Sequence, residues 1–300
     1  MKFFFRSTLS FVLVLSIILG FCSCKRVTKP SFEECDEYYS YKNISYGKHE
    51  RHKLDVVVPK GDKVPSGIIL YIHGGGWFGG DKDVYGESIV SSALKGYVSA
   101  AVNYRYADGD KITCEDILND INSALEKIKD ICNERGISAD KVMLTGASAG
   151  GHLALMYAYT RSAGAPISPV AVVSYSGPTE LCDDNYYNGV FADNSRTMIS
   201  KITGADLFSK TIEESGDLLL DASPVTYVNE DTVPTIICHG TLDDIVPYSN
   251  ATVLQSVLLS YDVDCELITY ENSGHGLDSD PETAEYAKSR FYEFADKYLK

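Results

Sequence analysis

Apolar residues recur along this chain in two alternating rhythms. "GIILYIHG" at 67–74 and "VPTIICHG" at 233–240 are continuous apolar runs, as strands buried on both faces should be. "YVSAAVNYR", "KVMLTG", "PVAVVSYSG" and "CELITYEN" read as further strands, and "NISYG" and "HKLDVVVP" as two earlier ones with polar alternation. Between them the period lengthens. In "TCEDILNDINSALEKIKDICNERG" residues Ile117, Ile121, Leu125 and Ile128 fall at helical spacing, with Thr113 placed to cap the helix. Helices are also predicted for "VYGESIVSSALKG", closed by Gly96, for "GHLALMYAYTR", for "SNATVLQSVLLSYD" and for the amphipathic end of the chain, "TAEYAKSRFYEFADKYLK". Strands alternating with helices predict an α/β fold: a mostly parallel sheet with helices on both faces. Residues 178–232 break the rhythm. They are rich in Tyr, Asn and Asp, contain short helix-like pieces around 195–220, and read as an insertion over the sheet.

The two ends of the pattern carry different information. Lys2 and Arg6 precede an apolar run from Leu9 to Phe21, the length of a signal-peptide core and short for a membrane span. Residues 1–24 are therefore expected to be an export signal. Cys24, preceded by Ser23, resembles a bacterial lipoprotein cleavage site and offers a lipid anchor as the membrane contact; Cys22 and Phe21 sit just before it. The expected location is secreted or held at the cell envelope. Residues 25–40 read as a polar and aromatic tether before the 41–300 domain.

The net charge of −15 at pH 7 argues against nucleic acid or an anionic membrane surface as partner, because phosphate binding needs clustered cations. Removing the basic leader makes the chain more acidic still. Beyond Cys22 and Cys24, the cysteines at 35, 114, 132, 182, 238 and 265 show no C-x-x-C spacing, so a zinc site is not expected, and their pairing is not legible.

One strand ends in chemistry. "LTGASAGGHLALM" at 144–156 runs apolar residues into Gly146-Ala147-Ser148-Ala149-Gly150 and then turns helical. G-x-S-x-G between a strand and a helix suits a sharp turn that pushes one hydroxyl out of the sheet. Small residues at such a junction also let a helix pack close to a strand, so Ser148 needs partners. Among the six histidines, His275 stands out: it lies in "NSGHG" after the last strand, at the sheet edge where catalysts collect. His49 and His52 fall in an early polar stretch. His73 and His239 end apolar strands, and His152 lies on the helix that anchors the serine turn, positions that suit structural roles. An orienting acid should come from "HGTLDDIVPYSN", which offers Asp243 and Asp244. The order Ser, Asp, His suits a nucleophile, an acid that fixes the imidazole tautomer, and a base. "YIHGGGWFGGDK" supplies three consecutive glycines, whose N–H groups, with that of Ala149, suit a tetrahedral oxyanion.

"HGGGW", "NYR", "GASAGGHLAL", "SPVTYV", "HGTLDDIVP" and "GHG" together resemble the α/β-hydrolase carboxylesterases related to hormone-sensitive lipase, in the bacterial feruloyl/acetyl-xylan esterase-like branch. The resemblance covers roughly residues 40–300. It implies an eight-stranded sheet with the second strand antiparallel. It assigns Ser148 as nucleophile, Asp243 over Asp244 as the acid, and His275 as base. Gly75, Gly76 and Ala149 become the oxyanion donors. Trp77 is a wall of the substrate pocket, with a core anchor as the alternative, and Tyr104 and Arg105 are structural. Neither metal nor organic cofactor is implied. The expected substrates are esters of short or aromatic acyl groups, on plant polysaccharide by resemblance alone. The insertion sets this chain apart from many relatives, in the region that usually shapes the pocket. Tyr186, Tyr187 and Phe191 within it are candidates to stack on an aromatic acyl group. An amidase, arylformamidase or peptidase would use the same triad, and a binding protein on this scaffold would usually have lost one of its members.

Overall fold

A computed structural model describes residues 29–61, 67–138, 140–188 and 192–300. The leader with Cys22 and Cys24, and Phe191, lie outside the described residues. The strands are β1 (Ser31–Glu34), β2 (Tyr38–Ser45), β3 (Lys53–Pro59), β4 (Gly67–Ile72), β5 (Val98–Val102), β6 (Lys141–Ala147), β7 (Ser168–Tyr175), β8 (Thr235–Gly240) and β9 (Cys265–Tyr270). They form one sheet in the order β1-β2-β3-β5-β4-β6-β7-β8-β9. From β5 through β9 neighbouring strands are parallel, while β3 runs antiparallel to both β2 and β5. This is the α/β-hydrolase arrangement, and β3 is the antiparallel second strand of its usual eight.

The ninth strand is a correction. The expected tether over 25–40 is, from Ser31 on, part of the sheet: β1 pairs antiparallel with β2, which itself begins at Tyr38. Every residue of β1 is exposed, so it carries no apolar alternation to read. It is held by edge pairing and by contacts of Phe32, whose ring lies 5.1 Å from that of Tyr41 and 5.3 Å from the Arg135 guanidinium.

Two apolar layers sandwich the sheet. On one face α1 (Gly86–Leu94) and α8 (Pro281–Leu299) pack Ile89, Phe291, Phe294 and Leu299 onto Ile69, Met143, Val173 and Ile236. On the other, α2 (Cys114–Glu134), α3 (Ala149–Thr160) and α7 (Ser249–Ser260) cover Ile68, Leu70, Leu144 and Val172. Ile117, Ile121, Leu125 and Ile128 are all fully buried in this second layer, as their spacing predicts. Residues 178–232 hold α4 (Asn185–Asn188), α5 (Ala192–Thr203) and α6 (Gly216–Asp221), and their buried side chains join the same layer. The cysteines at 35, 114, 132, 182, 238 and 265 are free thiols. Burial pushes those of Cys114 and Cys132 up to about 12, so they behave as small apolar residues.

Register decides where the chemistry can sit. Ile72 pairs with Gly146, Ala147 with Tyr175, Tyr175 with Cys238, and Gly240 with Tyr270. The carboxyl ends of β4, β6, β7, β8 and β9 therefore line up along one edge. The loops leaving that edge carry Gly74–Gly76, Ser148, Ser176, Asp243 and His275.

Candidate active site

Ser148 joins β6 to α3 with φ 55° and ψ −124°, a backbone conformation that side chains other than glycine rarely hold. Two contacts enforce it. The Ser148 N–H donates to the Tyr175 carbonyl at 2.8 Å, and the Ser148 carbonyl accepts the first helical bond of α3 from His152 at 3.0 Å. The flanking glycines are demanded by space. A Cβ on Gly150 would overlap the Ile72 carbonyl oxygen, and one on Gly146 would stand 2.5 Å from the same atom. The turn is thus wedged against the end of β4, with its hydroxyl-bearing residue partly exposed and Ala149 at the amino end of α3. The positive end of that helix favours negative charge there.

Asp243 and His275 meet across two loops. Asp243 Oδ2 accepts from His275 Nδ1 at 2.8 Å, and both residues are buried. A proton on Nδ1 leaves the Nε2 lone pair available to take another. Asp243 Oδ1 accepts the N–H groups of Ile245 and Val246 at 3.0 and 2.9 Å, so the carboxylate is fixed at both oxygens. Burial pushes this carboxyl up, but the hydrogen bonds from His239 and His275 outweigh it and hold Asp243 well below the usual carboxylate range. Its neighbour Asp244 is exposed.

His239 is a partner that sequence reading left among the strand-end histidines. Its Nε2–H is shared between the Val246 carbonyl at 2.9 Å and Asp243 Oδ2 at 3.2 Å, while its Nδ1 is buried without a hydrogen-bond partner among the described residues. Ser176 was also missed. With φ 48°, it donates from N to the Cys238 carbonyl at 2.8 Å and from Oγ to the His275 carbonyl at 3.2 Å. Tyr175 and Ser176 thereby link the Ser148 turn to the His275 loop. No motif marks Ser176, whose only signal was its place just past a buried strand, whereas His239 opens the "HGTLDDIVP" string. The His275 loop, flanked by glycines, is tied back. Ser273 Oγ donates to Asp280 at 2.5 Å, and Leu242 N–H donates to the Ser273 carbonyl at 3.1 Å.

The glycine loop after β4 folds over Ser148. Gly75 has φ 111°, and a Cβ there would meet the Gly79 carbonyl oxygen at 2.5 Å. Gly76 also has positive φ. Trp77 is a core anchor that also borders the cavity beside Ser148. Its ring is buried and its Nε1–H donates to His152 Nδ1 at 3.0 Å. His152 Nε2–H in turn donates to the Ala222 carbonyl at 2.8 Å, which makes His152 a neutral strut between the glycine loop and the inserted segment. Burial lowers its pKa to about 4. His73 is likewise pushed down to about 4 by burial, donating from Nδ1 to the Gly74 carbonyl and accepting from Arg51 at Nε2. Tyr104 donates to the His73 carbonyl, and Arg105 pairs with Asp120.

A cavity of about 20 Å³ opens beside Ser148, bounded by Gly76, Trp77, Ala149, Tyr186, Met198 and Val246 among others. The inserted segment therefore reaches the site through α4 and α5. Tyr186 borders the cavity, with its hydroxyl donating to Asn250 Oδ1 at 3.2 Å. Tyr187 instead donates to the Leu181 carbonyl at 2.7 Å and packs inside the insertion. Among the described residues no group of three or more His, Cys, Asp or Glu side chains is placed to hold a metal ion.

Residues 54–258 match the protein-family model described as BD-FAE. The chain belongs to the BD-FAE family. Beyond the family match, it is 29% identical to a probable carboxylic ester hydrolase, LipM, of Mycobacterium tuberculosis, over 70% of this chain and 49% of LipM. The chain spans about half the length of such curated relatives. Among solved structures it is similar to esterase B from Lactobacillus rhamnosis, with a TM-score of 0.70 at 21% identity, covering 87% of this chain and 86% of that one. It is also similar to a truncated form of a carbohydrate esterase from gut microbiota, with a TM-score of 0.67 at 21% identity over 86% of this chain and 99% of that one. At that identity the likeness establishes a shared α/β-hydrolase fold.

Proposed function

We propose that this BD-FAE family member is a serine carboxylic-ester hydrolase. The observation that carries the reading is the Asp243–His275 hydrogen bond, held at the same sheet edge as the strained Ser148 turn. In the first half-reaction Ser148 Oγ attacks the ester carbonyl carbon and its proton passes to His275 Nε2. The C–O bond to the alcohol then breaks, and His275 returns that proton to the departing alkoxide. An acyl-enzyme remains on Ser148. In the second half-reaction water attacks the acyl carbon, giving its proton to Nε2, and Ser148 leaves with that proton as the acid is released. Asp243 keeps the proton on Nδ1 and stabilises the imidazolium. The N–H groups of Gly75, Gly76 and Ala149 hold the oxyanion, each donor worth roughly 10²–10³ in rate.

The similarity to a carbohydrate esterase and the signal-like leader support an exported enzyme acting on esters carried by a carbohydrate. A lipid on Cys24 would keep it at the envelope, and a mass spectrum of the mature amino terminus tests that. For the chemistry, a fluorophosphonate probe should label Ser148 and no other residue. Ser148→Ala should abolish both labelling and ester turnover, by on the order of 10⁶, while leaving the circular dichroism spectrum unchanged. Activity surviving within tenfold would remove Ser148 from the reaction. Faster turnover of an N-formyl amide or a peptide than of any ester would make the enzyme an amidase.

A further inference from the structure

The cavity beside Ser148 has one wall unlike the others. Trp77 is anchored through its indole N–H to His152, and Tyr186 through its hydroxyl to Asn250. Met198, from α5, is half-buried, unbranched and without such an anchor in its side-chain chemistry. It lies directly over the glycine loop: a Cβ on Gly76 would stand 2.9 Å from Met198 Sδ and 3.3 Å from its Cγ. The free volume left beneath it, about 20 Å³, holds roughly one water or one methyl group.

Which half of an ester enters this space follows from the reaction. The departing alkoxide must receive its proton from His275, so the alcohol lies on the side of the base. The described wall of the cavity includes Gly76 and Ala149, the proposed oxyanion donors, and His275 contributes nothing to it. This narrow space therefore takes the acyl side of the carbonyl, while the alcohol stays outside it. We infer that Met198 narrows the acyl pocket and is the residue that sets acyl length, favouring an acetyl group over longer chains. This rests on the ester-hydrolase reading above. A butyryl chain needs Met198 to swing away from Gly76. A planar feruloyl group needs more, because Trp77 and Tyr186 are held in place.

The test is a series of 4-nitrophenyl esters sharing one leaving group. In the wild-type chain kcat/KM for the acetate should exceed that for the butyrate at least tenfold, with the hexanoate lower again. Met198→Ala should raise the butyrate-to-acetate ratio tenfold or more, and Met198→Phe should lower it. Ratios are read within each protein, so a general loss of activity does not mimic the effect, and melting temperatures report folding. If Met198→Ala fails to fold, the wild-type series and Met198→Phe still decide. Equal rates on acetate and butyrate in the wild type, or ratios within twofold of wild type in both folded variants, would overturn the assignment of Met198. Those results leave fluorophosphonate labelling of Ser148 and ester turnover intact. A chain that neither labels at Ser148 nor turns over any ester overturns the ester reading and the acyl-pocket assignment together.

Discussion

Asp243 and Asp244 share a side chain and a sequence neighbourhood, and only one of them faces an imidazole. Asp243 is buried, receives His275 and His239 at one oxygen and two backbone N–H groups at the other, and stays ionised. Asp244 points to solvent. Asp243→Asn keeps the shape but presents an amide N–H to a nitrogen that must donate, which favours the wrong tautomer. It should lower kcat by about 10⁴, whereas Asp244→Asn should stay within about threefold of wild type. Purified variants assayed on one ester would show this, and the opposite ranking would transfer the role to Asp244. The residues themselves were legible as a pair; choosing between them needed either the family resemblance or the fold, because both aspartates satisfy the same turn chemistry.

At the scale of elements, the junction from β6 to α3 depends on backbone packing more than on side chains. Gly150 sits where any Cβ would enter the Ile72 carbonyl at the end of β4. Gly150→Ala must therefore push the turn off the neighbouring strand. The expected cost is at least about 3 kcal/mol, at the severe end for a single change, with loss of soluble protein or of the cooperative transition. Gly136, at φ 71° with open space around its missing Cβ, isolates the conformational cost alone, and Gly136→Ala should lose only about 1 kcal/mol. Guanidinium unfolding of the two variants compares them directly, and equal losses would mean that the elbow is not wedged. The buried strands and long helices were readable from period alone. β1 was not, since a short exposed edge strand has no buried face to leave a pattern. The contribution of α5 to the site was unreadable for a different reason: Met198 belongs to a helix whose apolar face serves the core and the cavity at once.

The whole molecule should feel its buried histidines as a pH dependence of stability. His73 and His152 have folded pKa values of about 4 against an ordinary 6.5, because burial disfavours their charged form. Above pH 6.5 both are neutral whether folded or unfolded, and their contribution is complete. As pH falls through 6.5 the unfolded chain takes up protons that the folded chain refuses. Stability then drops by about 1.4 kcal/mol per pH unit for each histidine until about pH 4, where the folded state also protonates. Asp243, whose pKa is depressed, loses its contribution only below that window, as pH falls from its ordinary 3.8. Urea unfolding at pH 7, 6 and 5 should show the decline, and His152→Gln should lessen its slope by about one proton. Identical slopes in the two proteins would mean that His152 is not held neutral by the fold.

The amino-acid sequence alone determined the fold class, the alternation of strands and helices, and the short strings that carry Ser148, Asp243, His275 and the glycine loop. Periodicity and tight turns are local properties, set by backbone sterics and by which face of an element is buried, so they survive in a linear reading. Tertiary structure decided what depends on distant residues sharing space. It brought His275 onto Asp243 across 32 residues of chain, and set Trp77 against His152 across 75 residues. It also laid Met198 over Gly76. Such contacts follow from sheet register and packing, and no local pattern encodes them because their partners are far apart along the chain.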